Sequence, residues 1–394
     1  MKISQLLSFS IIILFYILHN ILSLNPDMDR NKMLIYGIIA LLGMIIVLFL
    51  SIRLFLNKKK LLYTKKQITV VVLLILFTLI TSFLFAIKGS DRKAIFMLIS
   101  CLGAIIVGLI NPLTDRRLSV ILMLIVLAQQ FNVLLHGIKS LITYNWWFPA
   151  FNVYFSSTNG TAQFAAISIA IVLLVYSLSE TRKGFLQQVF VANLGIGTVI
   201  ILLSASRGGI LAVSLATIYW LWKSTSLKAV LFNKKTYKYI IGITLLLVLI
   251  MHTIPSVKLQ LTDYFKSINK VQSENFLHSE SRSTILVEAL GQIFSDSSSF
   301  LLGQDNLFSP IPGTGHWHAH NSYVEMVRNL GILPLLLLIM LLITAIVSNK
   351  SSPYIIAALI IIMVRAFFDD VILWTNFGEY FLFWPIVLLT VRQN

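Results

Sequence analysis

Charged residues are scarce in this chain of 394 residues: 12% are Asp, Glu, Lys or Arg, whereas 57% are hydrophobic. The mean hydropathy is +0.87. A composition this apolar excludes a soluble globular protein, and the apolar runs are too long for the strands of a membrane β-barrel. The sequence therefore predicts an all-α, polytopic integral membrane protein.

Cysteine is almost absent. Cys101 lies in an apolar run, and the sequence contains no second cysteine with which it could form a disulfide. The chain therefore has neither a disulfide framework nor a thiolate metal site. We interpret Cys101 as a small buried hydrophobic residue.

Acidic residues are half as common as basic ones, 15 against 31, which gives a formal net charge of +16. In a soluble protein this charge would suggest nucleic-acid binding. Here Lys and Arg cluster in short connections between apolar runs, which is typical of membrane topology signals. We therefore expect no nucleic-acid partner.

The apolar runs predict about twelve membrane-spanning helices, since about 20 apolar residues cross a bilayer as a helix. These helices are predicted near residues 5–24, 33–56, 67–87, 94–110, 118–143, 161–179, 185–203, 208–222, 238–254, 321–347, 353–370 and 377–391. The predicted organisation has three parts: transmembrane helices 1–9 in residues 1–254, a large outer loop with an amphipathic helix in residues 255–320, and transmembrane helices 10–12 in residues 321–394.

The basic connections predict the orientation. With a cytoplasmic N-terminus most of them fall on the inner side, which also places the C-terminus in the cytoplasm. The basic connection from Lys88 to Lys93 is the exception, because it falls on the outer side. This topology sends the Arg207 junction and the loop 255–320 to the outer face.

The Ser206-Arg207-Gly208-Gly209 junction separates two apolar runs at a membrane surface. An arginine near hydrocarbon costs about 2.5–3.5 kcal/mol on insertion scales and is seldom kept there without a partner. The start of the following helix offers free N–H groups and the positive end of the helix dipole. The junction therefore predicts a site for a phosphate-like anion.

Residues 281–294 have the periodicity of an amphipathic helix. The apolar stripe consists of Ile285, Leu286, Ala289 and Ile293, and Arg282 lies on it. Arg282 is either a snorkelling residue at the edge of a helix on the membrane surface or a second phosphate ligand.

Three histidines, His316, His318 and His320, precede the apolar run that begins at Ile332. Alternate residues of an extended chain point the same way, so the three could bind a metal, but no further ligand stands at a suitable spacing to complete the set. Two alternatives to a metal site remain. The segment is an inert solvated loop, or it provides a histidine that acts as general base for a hydroxyl.

Charged residues also close the apolar run that begins at Tyr354. Arg365 precedes Asp369 by one helical turn, and charges at this depth are candidates for function. An Arg365–Asp369 pair would satisfy both groups, which would leave Asp370 free to orient a histidine or an arginine.

Together the outer-face residues suit glycosyl transfer from a lipid diphosphate. Two arginines could neutralise the diphosphate, a histidine could accept a proton, and an aspartate could orient either group. Charge-assisted hydrogen bonds between arginine and phosphate contribute about 1.5–3 kcal/mol each. They would stabilise the negative charge that develops on the diphosphate leaving group as its bond to the sugar breaks.

At these residues the chain resembles the O-antigen ligase and O-antigen polymerase superfamily of bacterial envelope glycosyltransferases. The similarity comprises the Ser-Arg-Gly-Gly junction entering a helix, the His-x-His-Asn sequence at 318–321 with Glu325 and Gly331 after it, and the sequence from Asp370 to Trp374. The topology is similar along nearly the whole chain.

The resemblance implies a multi-pass protein of the bacterial inner membrane, with its active site facing the periplasm. It would transfer a glycan from undecaprenyl diphosphate to a sugar hydroxyl with inversion and without a metal or other cofactor. By similarity, the catalytic residues are His320, Arg207, Arg282 and Asp370, and Ser206, Gly208, His318 and Asn321 contact substrate.

The length and the single large loop favour a ligase, whose acceptor is a lipid A-core sugar, over a polymerase. A transferase with a protein or wall-polymer acceptor is a further alternative. A flippase for lipid-linked oligosaccharides belongs to another class; transporters often show internal repeats and polar sites at the bilayer midplane. This sequence shows no internal repeat, and its polar residues gather at the outer surface.

Overall fold

The computed structural model describes residues 9–10, 12–13, 65–91, 94–95, 97–98, 105, 116–144, 158–178, 184–204, 206–223, 282–305, 307, 309–314, 316, 319–348 and 352–368. All regular structure within these residues is helical, with no strand, so the predicted all-α class is confirmed there. The predicted spans near 5–24, 33–56, 94–110, 238–254 and 377–391 lie wholly or mostly outside the described residues.

Ten helices have their bounds within the described residues. They are α1 (Lys65–Ile87), α2 (Arg116–Tyr144), α3 (Thr158–Leu178), α4 (Phe185–Leu203), α5 (Arg207–Lys223), α6 (Arg282–Ile293), α7 (Ser297–Leu302), α8 (Ser322–Leu330), α9 (Ile332–Ser348) and α10 (Pro353–Phe368). Helices α1 to α4 each contain an apolar stretch long enough to cross a membrane. The chain is therefore a membrane protein with several apolar helices.

Helix α3 forms the centre of the bundle. Every side chain from Thr161 to Leu178 is buried, and α3 packs against α4 and α10. Its composition explains this position, because a helix that is apolar all round belongs inside a bundle and its small residues allow close approach of neighbours. The small buried residues of α3 are Thr161, Ala162, Ala165, Ala166, Ser168, Ala170 and Ser177.

Contacts at both ends of α3 show that it runs antiparallel to α10. At one end Arg365 donates to Gln163, and at the other the hydroxyls of Ser177 and Ser352 lie 2.8 Å apart. We call the end that contains Arg365 the site end. Helices α4 and α5 meet there at Ser206, because Arg365 also contacts Ser206.

Rings from four helices pack together at the opposite end of the bundle. Tyr176 stacks on Phe190 with centroids 4.0 Å apart, and Tyr354 makes edge contacts with both rings. Trp220 lies 5.7 Å from Tyr354. This aromatic cluster joins α3, α4, α5 and α10 and holds their ends in register.

The predicted span 321–347 is two helices rather than one. Helix α8 ends at Leu330, and α9 begins at Ile332 after Gly331, whose φ is +83°. A β-carbon at Gly331 would meet the Leu301 carbonyl, and one at Gly303 would come within 2.5 Å of the Asn329 carbonyl carbon. Glycine is required at both positions because two backbone segments approach too closely for any side chain.

The predicted amphipathic helix is present as α6. Ile285, Ala289 and Ile293 are buried, and the first two form a small core with Ile311 and Ala319. The apolar stripe of α6 therefore covers the segment that leads to His320, whereas one interpretation of the sequence had placed this stripe on the membrane surface.

Lys88 follows the last residue of α1 and binds the end of α7, the loop that follows it and the end of α8. Its ammonium group donates to the carbonyls of Leu302, Gln304 and Asn329 at 2.7–2.8 Å. Burial lowers the pKa of Lys88, and the charge of Asp305 partly opposes this shift. Lys88 was the exception to the predicted topology, and these contacts give it a structural role on the same side as that loop.

Candidate functional site

The first turn of α5 forms one half of the candidate site. Ser206 is buried and its hydroxyl accepts a hydrogen bond from the Gly209 amide at 3.4 Å, as an N-cap residue does. Arg207 is the first residue of the helix and is exposed. The N–H groups of a first turn have no acceptor within their own helix, so Arg207 lies where an anion is favoured.

Gly208 allows α10 to approach this turn. A β-carbon at Gly208 would come within 2.7 Å of the Phe368 β-carbon and 2.9 Å of the Arg365 Nη1. Both distances are shorter than ordinary contacts allow, so only glycine fits. Ser206 and Gly208 thus both have structural roles, and their predicted contact with substrate stays a prediction.

Arg365 brings a second guanidinium to the same turn. It is 1% exposed, and its Nη1 lies 3.5 Å from the Ser206 hydroxyl while its Nη2 lies 3.4 Å from Gln163 Oε1. Both hydrogen bonds are long. A buried positive charge beneath the start of α5 adds to the positive potential of the helix dipole.

His320 forms the other half of the site and has an unusual backbone conformation. Its φ is +51°, which among the described residues is the only positive value outside glycine. Such a conformation is uncommon for a residue with a side chain and is often kept at functional sites. The next residue, Asn321, caps α8, since its Oδ1 accepts from the amides of Tyr323 and Val324.

Glu325 holds the chain on the other side of His320. Its Oε2 accepts a hydrogen bond from the Ala319 amide at 3.0 Å, while its Oε1 accepts from Arg328 and Asn329 at 2.8 Å. Glu325 and Arg328 are both fully buried. His320 therefore lies between Ala319, whose amide donates to a buried carboxylate, and Asn321, whose side chain caps α8.

The Arg328 side chain connects α8 to the loop and to α6. Its Nη1 donates to the Ser309 carbonyl at 2.8 Å and to Gln292 at 3.3 Å. The loop also binds directly, because the Gln304 amide donates to the Arg328 carbonyl. These bonds join α6, the loop and α8 into one unit that carries His320.

Helix α10 contacts both halves of the site. The Tyr323 hydroxyl donates to the Met363 carbonyl at 3.0 Å, and the Tyr323 ring packs against Phe367 at 5.3 Å. Arg365 lies between these two positions of α10 and contacts Ser206. The structure thus brings the helix that follows His320 and the turn at Arg207 to the same end of the bundle.

The other predicted residues have less structural support. Arg282 begins α6, but only its backbone is described. His318, Asp369 and Asp370 lie outside the described residues. His316 and His320 approach each other, with ring centroids 6.1 Å apart, and the part of the chain that the structure describes contains no group of three metal-ligating side chains.

Sequence reasoning missed two contributions to this site. The sequence indicates Arg365 as a charge in an apolar run, but its proximity to Ser206 and Gly208 depends on the packing of α10 against α5. The sequence also places Glu325 after the His-x-His-Asn motif but indicates no structural role for its carboxylate. A buried acidic residue one turn before an arginine, in a segment entering an apolar run, is the signal that could have indicated a structural ion pair.

This arrangement can bind an anion and place a histidine on the same side of the bundle. No protein-family model matches the chain, and no curated protein is significantly similar to it. The assignment of function therefore depends on the residues themselves and on their geometry.

Proposed function

We propose that this chain is a glycosyltransferase that moves a glycan from undecaprenyl diphosphate to a sugar hydroxyl at the outer face of the bacterial inner membrane. The observation that carries the proposal is the contact of α10 with both halves of the site. Through α10, the arginine-bearing turn of α5 and the helix that follows His320 share one end of the bundle.

The basic helix ends support the proposed orientation. Arg116 and Arg117 begin α2, and Lys223 ends α5, at the end of the bundle opposite the site end. Basic residues are enriched on the cytoplasmic side. The site end then faces the periplasm, and both termini are proposed to be cytoplasmic.

Arg207 is proposed to bind the donor diphosphate. It shares the exposed face of α5 with Leu211, Leu215 and Ile218, which are 40–60% exposed and follow it at helical spacing. A lipid whose chain lies in the bilayer beside these residues presents its diphosphate to Arg207 and to the positive end of the helix dipole. Arg365 acts as a positioning residue, because it fixes Ser206 and adds positive charge beneath the turn.

His320 is proposed to act as the general base. Its imidazole removes the proton from the acceptor hydroxyl, the hydroxyl oxygen forms a bond to the anomeric carbon, and the bond from that carbon to the diphosphate oxygen breaks. Attack opposite the leaving group inverts the anomeric configuration. The cationic turn stabilises the undecaprenyl diphosphate that leaves, and no metal or cofactor takes part.

The resemblance adds Arg282 as a second diphosphate ligand, Asp370 as support for an arginine or the histidine, and His318 as an acceptor contact. It also favours an O-antigen ligase in lipopolysaccharide biosynthesis, with a lipid A-core sugar as acceptor, over an O-antigen polymerase that extends a lipid-linked glycan. Both reactions use the same donor chemistry, so the acceptor distinguishes them.

A lipopolysaccharide gel tests this proposal. A ligase-deficient Gram-negative strain that supplies lipid-linked O-antigen and lipid A-core would express the wild type, the His320→Ala variant or the His316→Ala variant. We expect a restored ladder with the wild type and His316→Ala, and none with His320→Ala. A ladder only in a polymerase-deficient strain would replace ligase by polymerase, and a fully active His320→Ala variant would overturn the catalytic assignment of His320.

A further inference from the structure

The residue that follows α6 and the second half of α7 carry apolar side chains that nothing in the described part of the chain fully covers. Phe294, Leu301 and Leu302 are 56–68% exposed, and the Phe294 and Phe300 rings stack with centroids 5.7 Å apart. We call these four residues the loop patch. Exposed aromatic and aliphatic side chains that cluster in this way mark an interaction surface.

The loop patch borders two helices that have the composition of membrane helices. The Leu302 carbonyl is bound by Lys88 at 2.7 Å, and Lys88 directly follows Ile87, the 64% exposed end of α1. The Leu301 carbonyl lies against Gly331, immediately before α9. Helix α9 begins with exposed Leu333 and Leu336.

Helix α7 is polar at its start and apolar at its end. Asp296 caps it by accepting from the Ser299 amide at 2.6 Å, and it also accepts from the Ser298 and Ser299 hydroxyls. These hydrogen bonds hold the pKa of Asp296 below its usual range. The charged, hydrated end of α7 therefore lies about one turn from its apolar end, as in a helix at a membrane interface.

We infer that the loop patch is inserted into the membrane leaflet beside the end of α1 and the start of α9, so that its partner is the lipid surface. The exposed apolar residues continue the lipid-facing surface of the two bordering helices, and the Asp296 end of α7 stays in the headgroup region. Lys88 lies at the boundary, where a lysine keeps its charge near water. The inference does not depend on the proposed function.

Insertion of the loop patch would fix the distance of the candidate site from the membrane surface. The backbone that follows the patch is bonded to α8, because the Gln304 amide donates to the Arg328 carbonyl and Lys88 bridges the carbonyls of Leu302 and Asn329. Helix α8 begins just after His320. Insertion of the patch therefore sets the position of His320 relative to the headgroups.

Fluorescence quenching in the full-length protein tests the inference. In a Cys101→Ala background, Leu301→Cys and Phe294→Cys would each be labelled with the fluorophore NBD and reconstituted into phosphatidylcholine–phosphatidylglycerol vesicles. Ser297→Cys is the matched control, because it lies on the same helix at the polar end. The quencher is a phosphatidylcholine with a nitroxide near the top of its acyl chain.

We expect at least about twofold stronger quenching at residues 301 and 294 than at 297, because interfacial helices bury their apolar face about 5–10 Å deep. Equal, weak quenching at all three positions would overturn the inference. So would a probe at 301 that is shielded from water but not quenched by lipid, with shielding that rises with protein density, since a second copy would then cover the patch.

Discussion

The Glu325 carboxylate accepts a hydrogen bond from the Ala319 amide at 3.0 Å, across the residue that carries the candidate general base. The same carboxylate binds Arg328 in a fully buried ion pair. Glu325 thus links the backbone before His320 to the helix after it. Because burial removes solvent screening, this link is strong only while both charges are present.

Removing one member of this pair should destabilise the protein. Glu325→Ala leaves the Arg328 charge buried without its carboxylate, which costs about 3–5 kcal/mol. Thermal unfolding in detergent measures the loss, with Glu288→Ala as the exposed control. The double variant Glu325→Met/Arg328→Met should be more stable than Glu325→Ala. Equal melting of Glu325→Ala and the control would show that the pair contributes little.

Substitutions at His320 can separate the effect of its backbone conformation on stability from the effect of its imidazole on the transfer rate. Glycine and asparagine both tolerate a φ of +51°, so His320→Gly and His320→Asn should keep the melting temperature. Without a general base the transfer rate should fall by about 10²–10⁴-fold. Single-turnover transfer from a lipid-linked glycan measures the rate, with His316→Asn as the control. Near-normal rates in both His320 variants would remove His320 from the mechanism.

Arg207→Lys tests the shape of the cation at the start of α5. Lysine keeps the charge but cannot offer the planar fork of two parallel donors. The loss of one charge-assisted hydrogen bond, worth about 1.5–3 kcal/mol, lowers kcat/KM by roughly ten- to a hundredfold. The KM for the lipid-linked donor should rise more than the KM for the acceptor. Full activity would mean that Arg207 serves only as a topology signal.

Arg365 should act through the turn that it supports. Arg365→Met removes the contacts to Ser206 and Gln163 and the positive charge beneath α5, so we expect weaker donor binding. Arg365→Lys restores the charge and should recover part of the affinity. Donor KM, acceptor KM and melting temperature are measured for each. A loss of stability with unchanged donor KM would make Arg365 a purely structural residue.

Gly208→Ala tests the close approach of α10 to α5. The added methyl group would overlap the Phe368 β-carbon and Arg365 Nη1, and overpacking of this kind costs about 1–3 kcal/mol. Gly195→Ala is the matched control, because a β-carbon at Gly195 has no neighbour within 4 Å. We expect a lower melting temperature for Gly208→Ala alone. Equal behaviour of the two variants would argue against close packing at Gly208.

Helix positions were largely predictable because apolar length and periodicity depend on local sequence. Helices α3 and α4, for example, match the predicted spans to within three residues. The break at Gly331 was missed because a single span was predicted over residues 321–347. Only the structure shows the approach of Leu301, which requires a glycine at position 331.

Composition by itself determined the class of this protein, since so few charges and so many long apolar runs allow only a helical membrane protein. The order of residues also identified Arg207 and His320 as candidates, because charged and titratable residues next to apolar runs are rare. Tertiary packing alone placed Arg365 beneath the α5 turn and Glu325 behind His320. The Arg365 contacts join residues from separate helices, and their proximity depends on crossing geometry that local sequence does not encode. The Glu325 contact depends on the turn of the chain at His320, which brings the Ala319 amide back to α8.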